Sequence, residues 1–298
     1  MRLNNHVKNF LASFFRKLGY TLEKNKNQYI DTRSNQNSYK MMMFYGKHVI
    51  INAPIKKAMW KISPTHFDRK HPFVEALINT KNITNPREAI EKSLQFYYET
   101  VQPRTMTECI DGITENKSFP DPRKTHTVHW PWIQKIAVKE FSPVLIKGKI
   151  KLLPIEKHGV QHWGPVSKEK LDTEVFKFFT LYNSIKENGF RSNPDEKDGV
   201  IRAYVLENDN EDWRWIPIQG QHRVSVAASL DIENVPVKIE SVFRKIDLHL
   251  FPLVVNGTYT LEEATKVFES FFDGNTPKLL TNWIKLKDKK IENNDSSK

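Results

Sequence analysis

The stretch Ile218-Gln219-Gly220-Gln221-His222-Arg223-Val224-Ser225-Val226-Ala227-Ala228-Ser229-Leu230 decides how this chain reads. Ile218 and Gln219 close an apolar strand. Gly220, Gln221, His222 and Arg223 make a turn, and Val224 to Leu230 form a small-residue helix. A helix start leaves main-chain N–H groups without intrahelical partners and carries a partial positive charge. An anion placed there is held without further help. Gly220 lets the backbone approach closely. Arg223 has a planar fork that suits a phosphate, and His222 adds a donor. Ala227 and Ala228 keep the helix slim enough to pack flat on a sheet. The stretch offers a phosphate cradle but names no substrate.

Composition bounds the rest. At 298 residues the chain makes one large domain or two small ones. A hydrophobic content of 39% and an aromatic content of 11% are enough for a packed core. The single cysteine, Cys109, excludes an intrachain disulfide, suits a reducing cytosol, and reads as a small buried residue rather than a nucleophile. A formal charge of +11 attracts anions without choosing among phosphates, nucleic acid and acidic lipid. Residues 1–27 carry +5 of it, six basic residues against Glu23. No apolar run reaches the ~20 residues that span a bilayer, and the start lacks the layout of a secretory signal.

Working outward, residues 3–18 predict a basic amphipathic helix, with Leu3, Val7, Phe10, Leu11, Phe14, Phe15 and Leu18 at spacings of three and four. Such a helix lies in a membrane interface or docks on the protein's own core. Asn25 to Lys40 reads as a polar linker. A strand is expected over 48–53, and helices over 72–78 and from the Asn85 cap to Val101. No regular structure is assigned to most of 102–133. A hairpin follows over 141–155, around Lys147-Gly148-Lys149. A helix from the Ser167 cap to Asn188 is closed by Gly189. Strands are expected over 201–206, 213–218 and 235–239. Two helices close the chain, one with the Thr260–Glu263 capping box and one from Pro277 to Leu286, before a polar tail from Asn293.

Two boxes carry a family resemblance. Gly220-Gln221-His222-Arg223, Ala227-Ala228, Leu230 and Val235-Pro236-Val237 resemble the later signature of the ParB/sulfiredoxin superfamily. Leu181, Ser184, Ile185 and Gly189 match its earlier box, in the expected order. The resemblance implies an α/β (α+β) domain of ParB/sulfiredoxin type over 141–245, a mixed sheet with packed helices. On this division residues 1–20 are the amphipathic helix, 21–40 the linker, 41–140 an N-terminal region and 246–298 a helical C-terminal extension.

The resemblance also sorts the chemistry. Sulfiredoxins carry a cysteine where this chain has Gln221, so that reductase activity is excluded. ParB-type partition proteins follow the nucleotide unit with a helix-turn-helix. Here Ser241-Val242-Phe243-Arg244-Lys245 matches their later box poorly, and no recognition-helix pattern follows, so sequence-specific DNA binding is not expected. Other members are small-molecule kinases, whose reaction needs mainly positioning and charge neutralisation. By that resemblance Gly220, Gln221, His222, Arg223 and Ser225 bind the phosphates of ATP or another nucleotide, accompanied by Mg2+. Glu156, at the end of Leu152-Leu153-Pro154-Ile155, is the expected catalytic carboxylate. Asp172 and Glu174 on the next helix stand behind it.

The expected activity is phosphoryl transfer to a small-molecule or glycan hydroxyl, such as a surface-polysaccharide precursor. The expected place is the cytoplasm, peripheral at the inner face of the membrane through residues 1–18. The alternative is a non-enzymatic nucleotide switch or a non-specific nucleic-acid-binding module. Two histidine pairs, His126 with His129 and His158 with His162, lack a cysteine companion and read as structural or surface residues rather than zinc ligands. Trp163-Gly164-Pro165 is either a rigid turn lining the pocket or a packing element.

Overall fold

A computed structural model describes residues 29–295 apart from 35, 81–82, 112, 115–118, 127–128, 134–140 and 194–198. The helix expected over 3–18, with its membrane-facing reading, lies outside the described residues. In chain order the strands are β1 (Tyr29–Asp31), β2 (His48–Pro54), β3 (Phe141–Ile146), β4 (Lys149–Pro154), β5 (Ile201–Glu207), β6 (Trp213–Gln219) and β7 (Asn234–Arg244). The helices are α1 (Met41–Tyr45), α2 (Pro72–Ile78), α3 (Pro86–Thr100), α4 (Ile155–His158), α5 (Lys168–Asn188), α6 (Gln221–Ser229), α7 (Pro252–Val255), α8 (Leu261–Asp273) and α9 (Lys278–Asp295).

The fold is mixed α and β. Five strands form one sheet in the order β1-β2-β7-β5-β6, and β3 with β4 form a separate hairpin. β2 runs antiparallel to β7, β7 parallel to β5, and β5 antiparallel to β6. Alternation along the strands assigns the two faces. Ala203, Val205 and Trp215 join one core with Phe73, Leu94, Phe178 and Val224, drawn from α2, α3, α5 and α6. Leu206 and Ile216 point the other way, into a second core with Phe268 and Phe271 of α8 and with Trp130 and Trp132. The sheet is thus covered on both sides.

Several expectations change in the structure. Tyr29–Asp31, inside the stretch read as linker, is a strand paired in parallel with β2. β2 itself, placed in a separate N-terminal region by its sequence position, hydrogen-bonds to β7 from Val49 to Pro54. Nothing in its own residues names that partner. β7 runs five residues beyond Ile239, to Arg244, because it pairs with β5 as far as Glu207 after a register shift at Ala203/Tyr204. Helix α6 begins at Gln221 rather than Val224, since Gly220 already forms the cap. The last helix continues past Leu286 to Asp295.

Two local features hold the region between the sheet and the cavity described below. Gly164 donates its N–H to Val101 at 3.0 Å, and a Cβ added there would lie 1.7 Å from the Tyr98 carbonyl oxygen. Trp163, expected to line a pocket or to pack, is buried against Trp60 at 5.4 Å between ring centroids. His71 caps α2 by accepting the Phe73 N–H at 3.2 Å and stacks on Phe67. Complete burial pulls its pKa down to about 3.

Gly164→Ala is expected to cost about 3 kcal/mol, because main chain rather than a movable side chain must yield. A denaturant titration that places the variant within 1 kcal/mol of the parent, on the order of measurement error, would contradict the close approach. His71 supplies a pH test. A histidine with a depressed folded pKa takes up its proton on unfolding, so stability is lost as pH falls below its ordinary 6.5. Its share of the slope is about 1.4 kcal/mol per pH unit. His71→Asn keeps a capping acceptor and is expected to flatten the stability profile between roughly pH 6 and pH 4 by that amount.

Candidate functional site

Strand β6 ends at Gln219, and Gly220 turns the chain at φ 90° into helix α6. A side chain at 220 would be strained at that φ. Its Cβ would also meet Ile201 Cγ1 and Arg223 Nη2, each at 3.1 Å. No side chain caps the helix start. The first intrahelical bond is Val224 N–H to Gly220 carbonyl at 3.1 Å, so the N–H groups of the first turn point out of the helix end.

That end opens on a cavity of about 670 Å3. Gly220, Gln221 and His222 line it, with Ile218 and Gln219 of β6. Lys61, His126, Gln161 and His162 add polar and basic groups from three loops. Phe141 and Pro143 of β3 and Leu152 of β4 make an apolar wall. Phe141 and Leu152 are 51% and 69% exposed, so that wall is open to solvent. The volume suits a small-molecule site. Among the described lining residues there is no carboxylate.

The structure brings together some of the residues expected to bind phosphate and separates others. Gly220, Gln221 and His222 share the cavity. The Gln221 side chain is held by Trp60, whose Nε1–H donates to Oε1 at 3.1 Å. Ser225 is fully buried one turn down, its hydroxyl donating to the Gln221 carbonyl at 3.1 Å. Arg223 folds back over Gly220 and donates to the Val200 carbonyl at 3.1 Å, so it braces the turn. Glu156 sits on the short helix α4, exposed, in a different depression with Arg123, Lys124 and Lys157.

The carboxylate beside the cradle is Glu174. It is completely buried on α5, and His222 Nε2 lies 2.6 Å from its Oε2. Lys170 Nζ and Lys177 Nζ lie 2.8 and 3.0 Å from its other oxygen. Burial alone would raise the Glu174 pKa, but Lys170, Lys177 and His222 outweigh it and hold the carboxyl well below the usual range. Lys170 is as buried as Glu174, and that burial lowers its own pKa. Its ammonium also donates to the Pro143 carbonyl at 3.1 Å, fastening β3 to α5. Thr173 adds a second tie, accepting the Leu145 N–H at 2.7 Å. The His222 ring packs on Phe178, 4.6 Å away, and lies parallel to Phe73 at 6.4 Å.

The paired histidines separate. His158 is buried and hydrogen-bonds through Nδ1 to the Ser167 hydroxyl at 2.8 Å, the cap of α5. His129 is buried near Phe119 in the second core region. His126 and His162 line the cavity. His162 is 4% exposed, sits edge-on to Trp60, and its Nδ1 has no hydrogen-bond partner. Burial, then Lys61 and His126, push its pKa well down, so the ring is neutral at pH 7. Among the described residues no three histidine, cysteine or carboxylate side chains converge on a metal position. Cys109 is buried, and that burial raises its thiol pKa well above the ordinary value. No described helix is long and apolar enough to cross a membrane.

No family model matches the chain, and a search of curated proteins finds no significant match.

In sequence Glu174 stands behind Glu156, His162 reads as a structural or surface residue, and nothing marks Lys61 or Lys170 as site residues. One signal was available for the buried pair. Lys170, Glu174 and Phe178 recur at intervals of four on α5, which puts both charges in line with the apolar face. Lys170→Met is expected to cost about 3 kcal/mol by stripping a fully buried carboxylate of one counter-charge. Adding Glu174→Gln should return part of that loss, by about 1 kcal/mol or more, as contacting residues couple. Strict additivity in a double-mutant cycle would show that the two do not interact.

Proposed function

We propose that this cavity binds a nucleotide by its phosphates, and that the chain is an ATP- or ADP-dependent phosphotransferase acting on a small-molecule or glycan hydroxyl. The observation that carries the reading is a coincidence at one cavity. An uncapped helix start shares that cavity with Lys61, His126 and His162. The open apolar wall of Phe141, Pro143, Leu152 and Ile218 offers a face to a base or sugar ring.

The described lining gives a magnesium ion no carboxylate ligand, so the residues present do not build a metal site. Charge on the phosphates falls to Lys61 and the helix start. In this reading Arg223 acts indirectly, through the Gly220 turn. Attachment to an anionic membrane through residues 1–18 belongs to the same proposal, because a precursor made at the membrane is a suitable acceptor.

Calorimetric titration of the full chain with ATP and with ADP tests it. Binding of either is expected, weakened in Lys61→Ala by about 1.5–3 kcal/mol, the scale of a hydrogen bond to a charged group. Absence of binding to both nucleotides, or equal affinity in the variant, would remove the basis for the reading.

A further inference from the structure

We propose that His222, oriented by Glu174, is the proton acceptor for the attacking hydroxyl; this rests on the phosphotransferase reading above. The ring has two nitrogens. Nε2 is committed to the Glu174 carboxylate at 2.6 Å, which leaves Nδ1 as the nitrogen available on a side chain that lines the cavity. A carboxylate bonded to one ring nitrogen fixes the tautomer with the proton on that side and stabilises the imidazolium that forms. Phe178 packs on the ring at 4.6 Å between centroids.

The surrounding charges define what the pair can do. From α5, Lys170 and Lys177 neutralise Glu174 and keep it ionised. From the loops, Lys61, His126 and His162 line the cavity beside His222. The described lining holds no carboxylate, and burial with Lys61 and His126 nearby lowers the basicity of His162. Glu156, in a separate depression, cannot serve the same reacting centre.

The step balances without a further reactant. The acceptor oxygen forms a bond to the terminal phosphorus of the nucleotide. The bond from that phosphorus to its bridging oxygen breaks, and the electron pair leaves with the shortened nucleotide. The hydroxyl proton passes to Nδ1 of His222, while the Nε2 proton stays on the nitrogen facing Glu174. Glu174 is a positioning residue and never meets the substrate.

The test uses the full chain with ATP, with water and free glucose as acceptors, and follows ADP formation. The parent is expected to form ADP. His222→Ala should slow turnover by roughly 100-fold or more, the range of general-base catalysis. Imidazole added to His222→Ala should restore a measurable part of the rate. His222→Gln retains a donor to Glu174, so it keeps the helix contact and should be as slow. Glu174→Gln should lower kcat with the KM for ATP within about threefold, since it orients the base and leaves the phosphate groups untouched.

The arms separate the two claims. No ATP binding by the parent overturns the reading of the site, and this inference with it. ATP binding without ADP formation, an unaltered rate in both His222 variants, or a slow His222→Ala that imidazole does not revive would overturn the proton-acceptor role while leaving nucleotide binding in place.

Discussion

The buried carboxylate of Glu174 is the constraint around which this molecule is arranged. An ionised carboxyl removed from water is costly, by several kcal/mol after relaxation, and persists only where counter-charges and hydrogen bonds converge. Here three cationic or cation-forming groups do so. Two arise from the same helix, one turn either side. The third, His222, comes from the first turn of α6. Glu174 therefore fixes how the two helices meet, because a displaced α6 would leave the charge one partner short.

The same group of charges sets the walls of the cavity. Lys170 reaches past Glu174 to the Pro143 carbonyl and holds the β3–β4 hairpin against α5. That hairpin belongs to no larger sheet and exposes most of β4, so its position depends on such ties. The opposite side is set by Trp60, fully buried, which gives its indole N–H to Gln221 and packs its faces on His71 and Trp163. One network thus places the hairpin, the helix start and the aromatic loop around one space. Disturbing it changes cavity shape as well as stability.

Much of the fold was legible because it is written locally. Helices α2, α3, α5 and α8 declare themselves through apolar spacing and through the caps His71, Asn85, Ser167 and Thr260. His71 is the exception among those caps, since a histidine is not read as one. Strand pairing was less legible. β2 carries Val49, Ile50 and Ile51 all buried, a run that marks a strand covered on both faces but says nothing of β7 as its neighbour. The site divides the same way. The turn Gly220-Gln221-His222 was readable because glycine and a helix start are local features. The partner carboxylate was not, since Glu156 and Glu174 differ only in which helix each occupies and where that helix docks. Lys61 and His162 reach the cavity from loops whose course is tertiary.

The behaviour of Arg223 shows how a motif is reused by its surroundings. In sequence the His222-Arg223 pair reads as two donors aimed at one anion. In the fold, adjacent residues at a helix start diverge by about 100°, so both cannot face the same space. His222 turns to the cavity and to Glu174. Arg223 turns across Gly220 to the Val200 carbonyl just ahead of β5, and with Ile201 it encloses the glycine whose φ of 90° the turn requires. A guanidinium serving there stiffens the N-terminus of α6 beside the cavity. Lys61, on the loop after Trp60, adds a basic residue to the cavity lining. Because Trp60 also anchors Gln221, the residue that supplies the charge and the residue that receives the helix start are neighbours in one rigid loop. Lys61 and Gln221 are therefore held close to one another at the cavity.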